Sequence, residues 1–117
     1  MNTTLQGKIG EDLACSFLKK QGYQLLERNF RIRGGEIDIV AIDDTTLVYV
    51  EVKTRTSHKF GLPEESVGYH KLKFLERASK FYRANRNNLP QLERIDVLAV
   101  DLTGSTPKFN LIKNASL

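Results

Sequence analysis

The chain has 117 residues, 40% hydrophobic and 27% charged, which excludes the disordered and fibrous classes and fits one globular domain over residues 1–117 that buries about two-thirds of its unfolded surface. Its formal net charge is +4, a hint of an anionic partner that names none. The lone cysteine, Cys15, rules out an internal disulfide, and no Cys/His set has zinc spacing.

No histidine lies near Cys15 in sequence to activate it, so it reads as a small buried side chain. No apolar run reaches the roughly 20 residues of a membrane helix. The start "MNTTLQGKIGED" lacks the charged and then apolar pattern of a secretory signal, so the expectation is a cytoplasmic protein with no membrane partner.

In chain order, "TTLQGKIGEDLACSFLKKQGY" predicts a helix from about Thr4 to Gln21, with Ile9, Leu13 and Phe17 at spacing four and Gly22 as its stop. Gly7 and Gly10 weaken its first turns by about 1 kcal/mol each, so they are expected where a neighbouring backbone comes close. "YQLLERNFRI" alternates imperfectly and predicts an edge or bulged strand, and "RGG" turns the chain. Two clear strands follow, Glu36–Ile42 and Thr46–Thr54, joined by "DDT" as an antiparallel hairpin.

"RTSHKFGLPEESVGY" is expected to be a loop with a helical start near Pro63. From about His70 to Arg86, apolar residues at Leu72, Leu75, Ala78 and Tyr82, widened by Phe74 and Phe81, predict a second helix. His70 and Tyr69 at its start read as cap and packing. "RIDVLAVDL" is a fourth strand, "TGST" a turn and "KFNLIKN" a fifth strand. The order is αβββαβ with a trailing strand.

Successive strand side chains alternate between faces, so Leu47, Tyr49, Glu51 and Lys53 share one face while Val48, Val50 and Val52 share the other. The same rule puts Ile37, Ile39 and Ala41 together, with Glu36, Asp38, Val40 and Ile42 opposite. Across a short hairpin Asp38 and Glu51 come near each other. On the first helix Glu11 falls within about 60° of Ala14, Cys15 and Leu18, an odd place for an acid.

If that helix packs on the Asp38/Glu51 face, three carboxylates and Lys53 converge. Like charges so placed resist folding unless a cation joins them, and Mg2+ or Mn2+ suits carboxylates while leaving room for a phosphate oxygen. Lys53 would then orient or help deprotonate an attacking water, or offset charge on the transition state. The same residues also fit cross-strand salt bridges on a solvated sheet face, worth under about 1 kcal/mol each. Glu36 could be an outer acid of the site, but the turn's edge is where it would meet solvent.

Positive charge is local: Lys53 to Arg86 holds nine Lys or Arg against three Glu. Lys73, Arg77 and Lys80 recur on one helix face with Lys71 nearby. Arg55, His58 and Lys59 follow the third strand. Such a surface neutralises nucleic-acid phosphates without reading sequence, and a solvated helix face gives the same pattern. Aromatic content of 9% without tryptophan shows no stacking platform.

Taken together, "GKIGEDLACSFLKKQGY", "RGGEIDIVAID", "LVYVEVKTR", "FGLPEESV" and "RIDVLAVD" resemble the YraN-like family of small bacterial proteins, from about Gly7 to Leu102. That family is similar to the PD-(D/E)xK nuclease superfamily and within it to the archaeal Holliday-junction resolvases. The resemblance implies an α/β fold with a restriction-endonuclease-like αβββαβ core, a central mixed sheet flanked by helices. It also implies Asp38 and Glu51 as metal carboxylates, Lys53 as catalytic lysine and Glu11 as the helix-borne acid completing the site. The superfamily's "PD" is here Ile37-Asp38.

The expected activity is Mg2+-dependent hydrolysis of DNA phosphodiesters, including branched DNA. Symmetric cleavage of a four-way junction needs two sites, hence a homodimer. The alternatives are a nuclease directed at RNA and a non-catalytic nucleic-acid-binding or partner-docking module that keeps the fold.

Overall fold

A computed structural model describes residues 3–57 and 68–115. Its elements are α1 (Thr3–Lys20), β1 (Gln24–Ile32), β2 (Gly35–Asp43), β3 (Thr46–Arg55), α2 (Tyr69–Ala84), β4 (Leu92–Asp101) and β5 (Lys108–Ile112), in the expected αβββαβ order with its trailing strand. The helical start expected near Pro63, together with His58 and Lys59, lies outside the described residues.

The five strands form one mixed sheet in the order β1-β2-β3-β4-β5. Its pairs are antiparallel except β3 with β4, which run parallel from Thr46↔Leu92 to Arg55↔Asp101. A parallel pair needs a long crossover, and α2 supplies it. β1 is at the sheet's edge and carries a register shift between Leu25 and Glu27, matching its imperfect alternation.

Each face of the sheet is covered by one helix. Under α1, Ala14, Cys15 and Leu18 meet Ile39, Ala41, Val48, Val50, Leu98 and Val100. Under α2, Phe74, Leu75, Ala78 and Tyr82 meet Ile37, Val40, Leu47, Tyr49 and Val97. Two expectations are corrected. Ile9 is exposed, and the buried stripe of α1 is the Ala14, Cys15, Leu18 stripe that carries Glu11. Phe81 stands 57% exposed and outside the core, although Phe74 one heptad before it is buried.

Gly22 ends α1 in the left-handed region (φ 94), with Tyr23 N–H donating to Leu18 O and Gly22 N–H to Lys19 O, a Schellman closure that satisfies the last carbonyls. Gly10 lies where α1 crosses β3, and a Cβ there would overlap the Thr54 side chain. Gly7 has nothing within 4 Å of that position, so close approach explains Gly10 alone. Among the described residues no helix is long and apolar enough to cross a membrane.

The two glycines should respond oppositely in urea unfolding. Gly7→Ala should stabilise by up to about 1 kcal/mol through helix propensity, whereas Gly10→Ala should destabilise by about 1–3 kcal/mol through overpacking on Thr54. A Gly10→Ala protein as stable as the parent would show that the crossing is not tight.

Candidate functional site at the opened end of the sheet

The β2–β3 ladder runs from Asp43↔Thr46 to Ile39↔Val50 and stops, although β2 extends back to Gly35 and β3 on to Arg55. Beyond the last pair Val52 N–H donates to Asp38 Oδ2 at 2.8 Å, so a side chain takes the place of a ladder carbonyl. Alternation also breaks here. Ile37 joins the core under α2 while Ile39 and Ala41 join the core under α1, which corrects the expectation that the three share a face.

The cause is local. Between the pairs Arg28↔Ile39 and Phe30↔Ile37, Asn29 takes a left-handed conformation (φ 55), one that asparagine tolerates better than most residues. Asp38, opposite that point, is thereby carried to the gap between β2 and β3.

On the α1 side, one carboxylate oxygen each from Glu11, Glu36 and Asp38 lie within 4.8 Å of one another. They line a pocket of about 480 Å³ together with Arg28, Asn29 and Arg31. Glu11 Oε1 accepts from Arg28 Nε at 3.1 Å and from Asn29 Nδ2 at 3.0 Å. Arg28 also reaches Asp12 at 2.7 Å, and this pairing holds the Asp12 carboxyl below the usual carboxylate range. Arg31 Nε donates to Glu36 Oε2 at 2.8 Å. All three clustered donors are hard oxygens, and the set fits a cation such as Mg2+ or Mn2+.

Glu51, only 11% exposed, has Lys71 Nζ at 3.3 Å and Lys53 Nζ at 3.9 Å from its Oε2. Asp38 joins the two sides. Burial, reinforced by its hydrogen bond and charge repulsion with Glu51, pushes the Asp38 carboxyl up to about 8, so near neutrality this acid keeps a proton beside Glu51.

The four acids and bases singled out in the sequence, Glu11, Asp38, Glu51 and Lys53, therefore converge, but not as three equivalent ligands: Glu36 rather than Glu51 completes the tight carboxylate group. Glu36 was read as sharing a face with Asp38 but as meeting solvent at the turn's edge. Arg28, Asn29 and Arg31 were signalled only by the polar run "ERNFRIR" in an otherwise apolar strand.

The basic residues divide. Lys73, Arg77 and Lys80 are exposed along α2, with Tyr69 63% exposed at its start and Phe81 near its end. Lys71 instead turns inward to Glu51. Arg55 Nε donates to Ser57 O at 2.9 Å where β3 ends.

A mixed sheet with one helix on each face, and an oxygen-only acidic group where two strands part, defines an α/β protein with a potential metal site. The profile of Uncharacterised protein family UPF0102 matches residues 10–100, and the chain belongs to that family, as the YraN-like resemblance implied.

A UPF0102 protein of Caldicellulosiruptor bescii is 46% identical over 98% of this chain and 99% of its own length. One from Geobacter metallireducens is 44% identical over 93% of this chain and 89% of its own. Among solved structures, Pyrococcus furiosus SfsA in complex with Ca2+ matches 99% of this chain and 65% of that one, at 14% identity and a TM-score of 0.42. So slight a likeness says nothing of activity.

The Asp38 environment sets a pH dependence for the metal-free protein. Folded Asp38 keeps its proton to about 8 and the unfolded chain releases it near 3.8. Between these values the folded state binds more protons, so this contribution is complete below the lower value and is lost as pH rises through the upper one. In EDTA, unfolding free energy should decline across that window in the parent relative to Asp38→Asn. Parallel profiles for the two proteins would contradict the buried-acid assignment.

Proposed function

We propose that this protein is a metal-dependent nuclease that hydrolyses DNA phosphodiester bonds, with branched DNA such as a Holliday junction as the substrate class to test first. The observation that carries this reading is the Glu11, Glu36 and Asp38 oxygens within 4.8 Å of one another, backed by Glu51 with two lysines. Three carboxylates gathered in a half-buried pocket offer a cation a set of hard oxygen ligands.

Glu11, Asp38 and Glu51 are the metal carboxylates of this reading, Glu36 joins them, and Lys53 is the catalytic lysine. Bound Mg2+ or Mn2+ would supply Lewis-acid stabilisation of a phosphoryl oxygen and a more acidic water. Glu11 and Glu36, each held at one oxygen by a β1 arginine, keep the other for a ligand. Lys53 Nζ stands beside Glu51, where it can donate to an attacking water or to a phosphate oxygen gaining charge.

Around this centre the exposed Lys73, Arg77 and Lys80, with Arg55 at the end of β3 and Lys59 further along the chain, bind phosphates along the backbone. A homodimer would present two sites to a four-way junction.

A non-catalytic nucleic-acid-binding module is the second reading. One observation favours it: Arg28 and Arg31 already neutralise Glu11 and Glu36, as they would in a site that holds no metal.

Labelled duplex, flap and four-way-junction DNA, incubated with Mg2+ or Mn2+ against EDTA, separate the two. Metal-dependent products are expected, reduced by about 10²–10³-fold or more in Asp38→Ala and in Lys53→Ala. Salt-sensitive binding retained in all three proteins, with no product from the parent on any substrate, would sink the nuclease reading and leave the binding module.

A further inference from the structure

We infer that Lys71 is a positioning residue of the site, holding Glu51 and the parted ends of β2 and β3, and is not one of the phosphate contacts of α2. The inference rests on the nuclease reading for its catalytic consequence alone. Its geometric content stands apart from that reading.

Past Ile39↔Val50 the two strands share no further backbone pairing, yet Glu36 O and the Glu51 carboxylate belong to the segments that part. Lys71 Nζ donates to Glu36 O at 3.2 Å and lies 3.3 Å from Glu51 Oε2. One ammonium group, arriving from α2, thus bridges β2 and β3 where backbone bonds have stopped. An ammonium has three donors and no acceptor, which suits it to a carbonyl and a carboxylate at once.

Burial separates Lys71 from the exposed row of Lys73, Arg77 and Lys80. Its side chain is 31% exposed and its Nζ lies 5.2 Å from the Phe74 ring centroid, whereas the Lys73 side chain is 56% exposed. The stem is packed and the head is engaged, so reaching a phosphate would mean abandoning Glu51. The separation also places Lys71 nearer Glu51 than Lys53 is, 3.3 against 3.9 Å. Lys71 holds the acid and leaves the Lys53 ammonium less engaged with it.

Lys71→Met keeps the stem and removes the charge; Lys71→Arg keeps a charge that can still pair with Glu51. In single-turnover and steady-state cleavage of the preferred DNA, Lys71→Met should lower kcat about 10- to 100-fold. KM should be unchanged, as should the salt dependence of junction binding measured in EDTA, and Lys71→Arg should recover most of the rate.

A raised KM with kcat kept, and a salt slope smaller by about one, would make Lys71 a phosphate contact and overturn the inference. A second measurement needs no turnover. Lys71→Met and Glu51→Gln, combined in a double-mutant cycle of urea unfolding, should be non-additive; additive effects would likewise overturn it. A parent protein that cleaves nothing sinks the nuclease reading, and the cycle then decides whether Lys71 holds Glu51.

Discussion

The site depends on one backbone event, the parting of β2 from β3 after Ile39 and Val50. A peptide N–H left without a partner in a half-buried place costs about 1–3 kcal/mol, and Asp38 removes that cost at Val52. In doing so it becomes a buried acid beside a second acid. β3 cannot yield, because it is paired with β4 along its whole length, so β2 carries the distortion, helped by Asn29 on the strand beyond it. The close crossing of α1 at Gly10 and Thr54 then brings Glu11 down to the gap. A bulkier residue at Gly10 would lift that acid away from Asp38.

A second buried aspartate shows what a purely structural arrangement looks like in the same sheet. Asp96, fully buried, accepts from Tyr23 Oη at 2.8 Å, from Arg94 Nε at 2.8 Å and from Asn114 N–H at 3.0 Å. These bonds tie the loop after α1 and the end of β5 to β4. Arg94 is held well above its ordinary value, chiefly by its bond to Asp96, and its guanidinium also joins Asp96 to Asp43, 2.6 Å from Arg94 Nη2. Asp38 has one backbone donor and an acid for a neighbour. Full satisfaction with opposite charge belongs to a clamp; a surplus of carboxylate oxygens belongs to a site able to receive something.

Much of this was readable from residue pattern. Period-two alternation fixed the β2–β3 hairpin and the Glu51–Lys53 neighbourhood, and about 100° per residue put Glu11 on the stripe that is in fact buried. The rest failed where those rules assume continuity. Ile37 was misplaced because alternation presumes an unbroken strand, and the break is set by the backbone of Asn29, a residue on another element. Phe81 was drawn into the apolar stripe by its type and its heptad spacing from Phe74, yet it stands exposed.

Lys71 looked like one more cation on a basic face, since nothing in local spacing records that its helix begins beside Glu51. Glu36 looked like a turn residue because its partner Arg31 lies across a hairpin. Contacts between elements decide the places of Ile37, Lys71 and Glu36, and one sequence alone does not encode them in a local period.

The charges of the site are held in two different ways, and this bears on how it could work. Glu11, Glu36 and Glu51 are each steadied by a long cationic side chain: Arg28, Arg31, and Lys71 with Lys53. Such side chains have many rotamers and can follow a carboxylate that shifts by a fraction of an ångström. Asp38 has no ion-pair partner among the described residues, and its position is set by the Val52 peptide. Its geometry is therefore tied to the backbone of β3. The three glutamates can adjust around Asp38 as charge enters or leaves. A fixed aspartate at the strand gap with adjustable acids around it is the arrangement on which the proposed cation and phosphate binding rests.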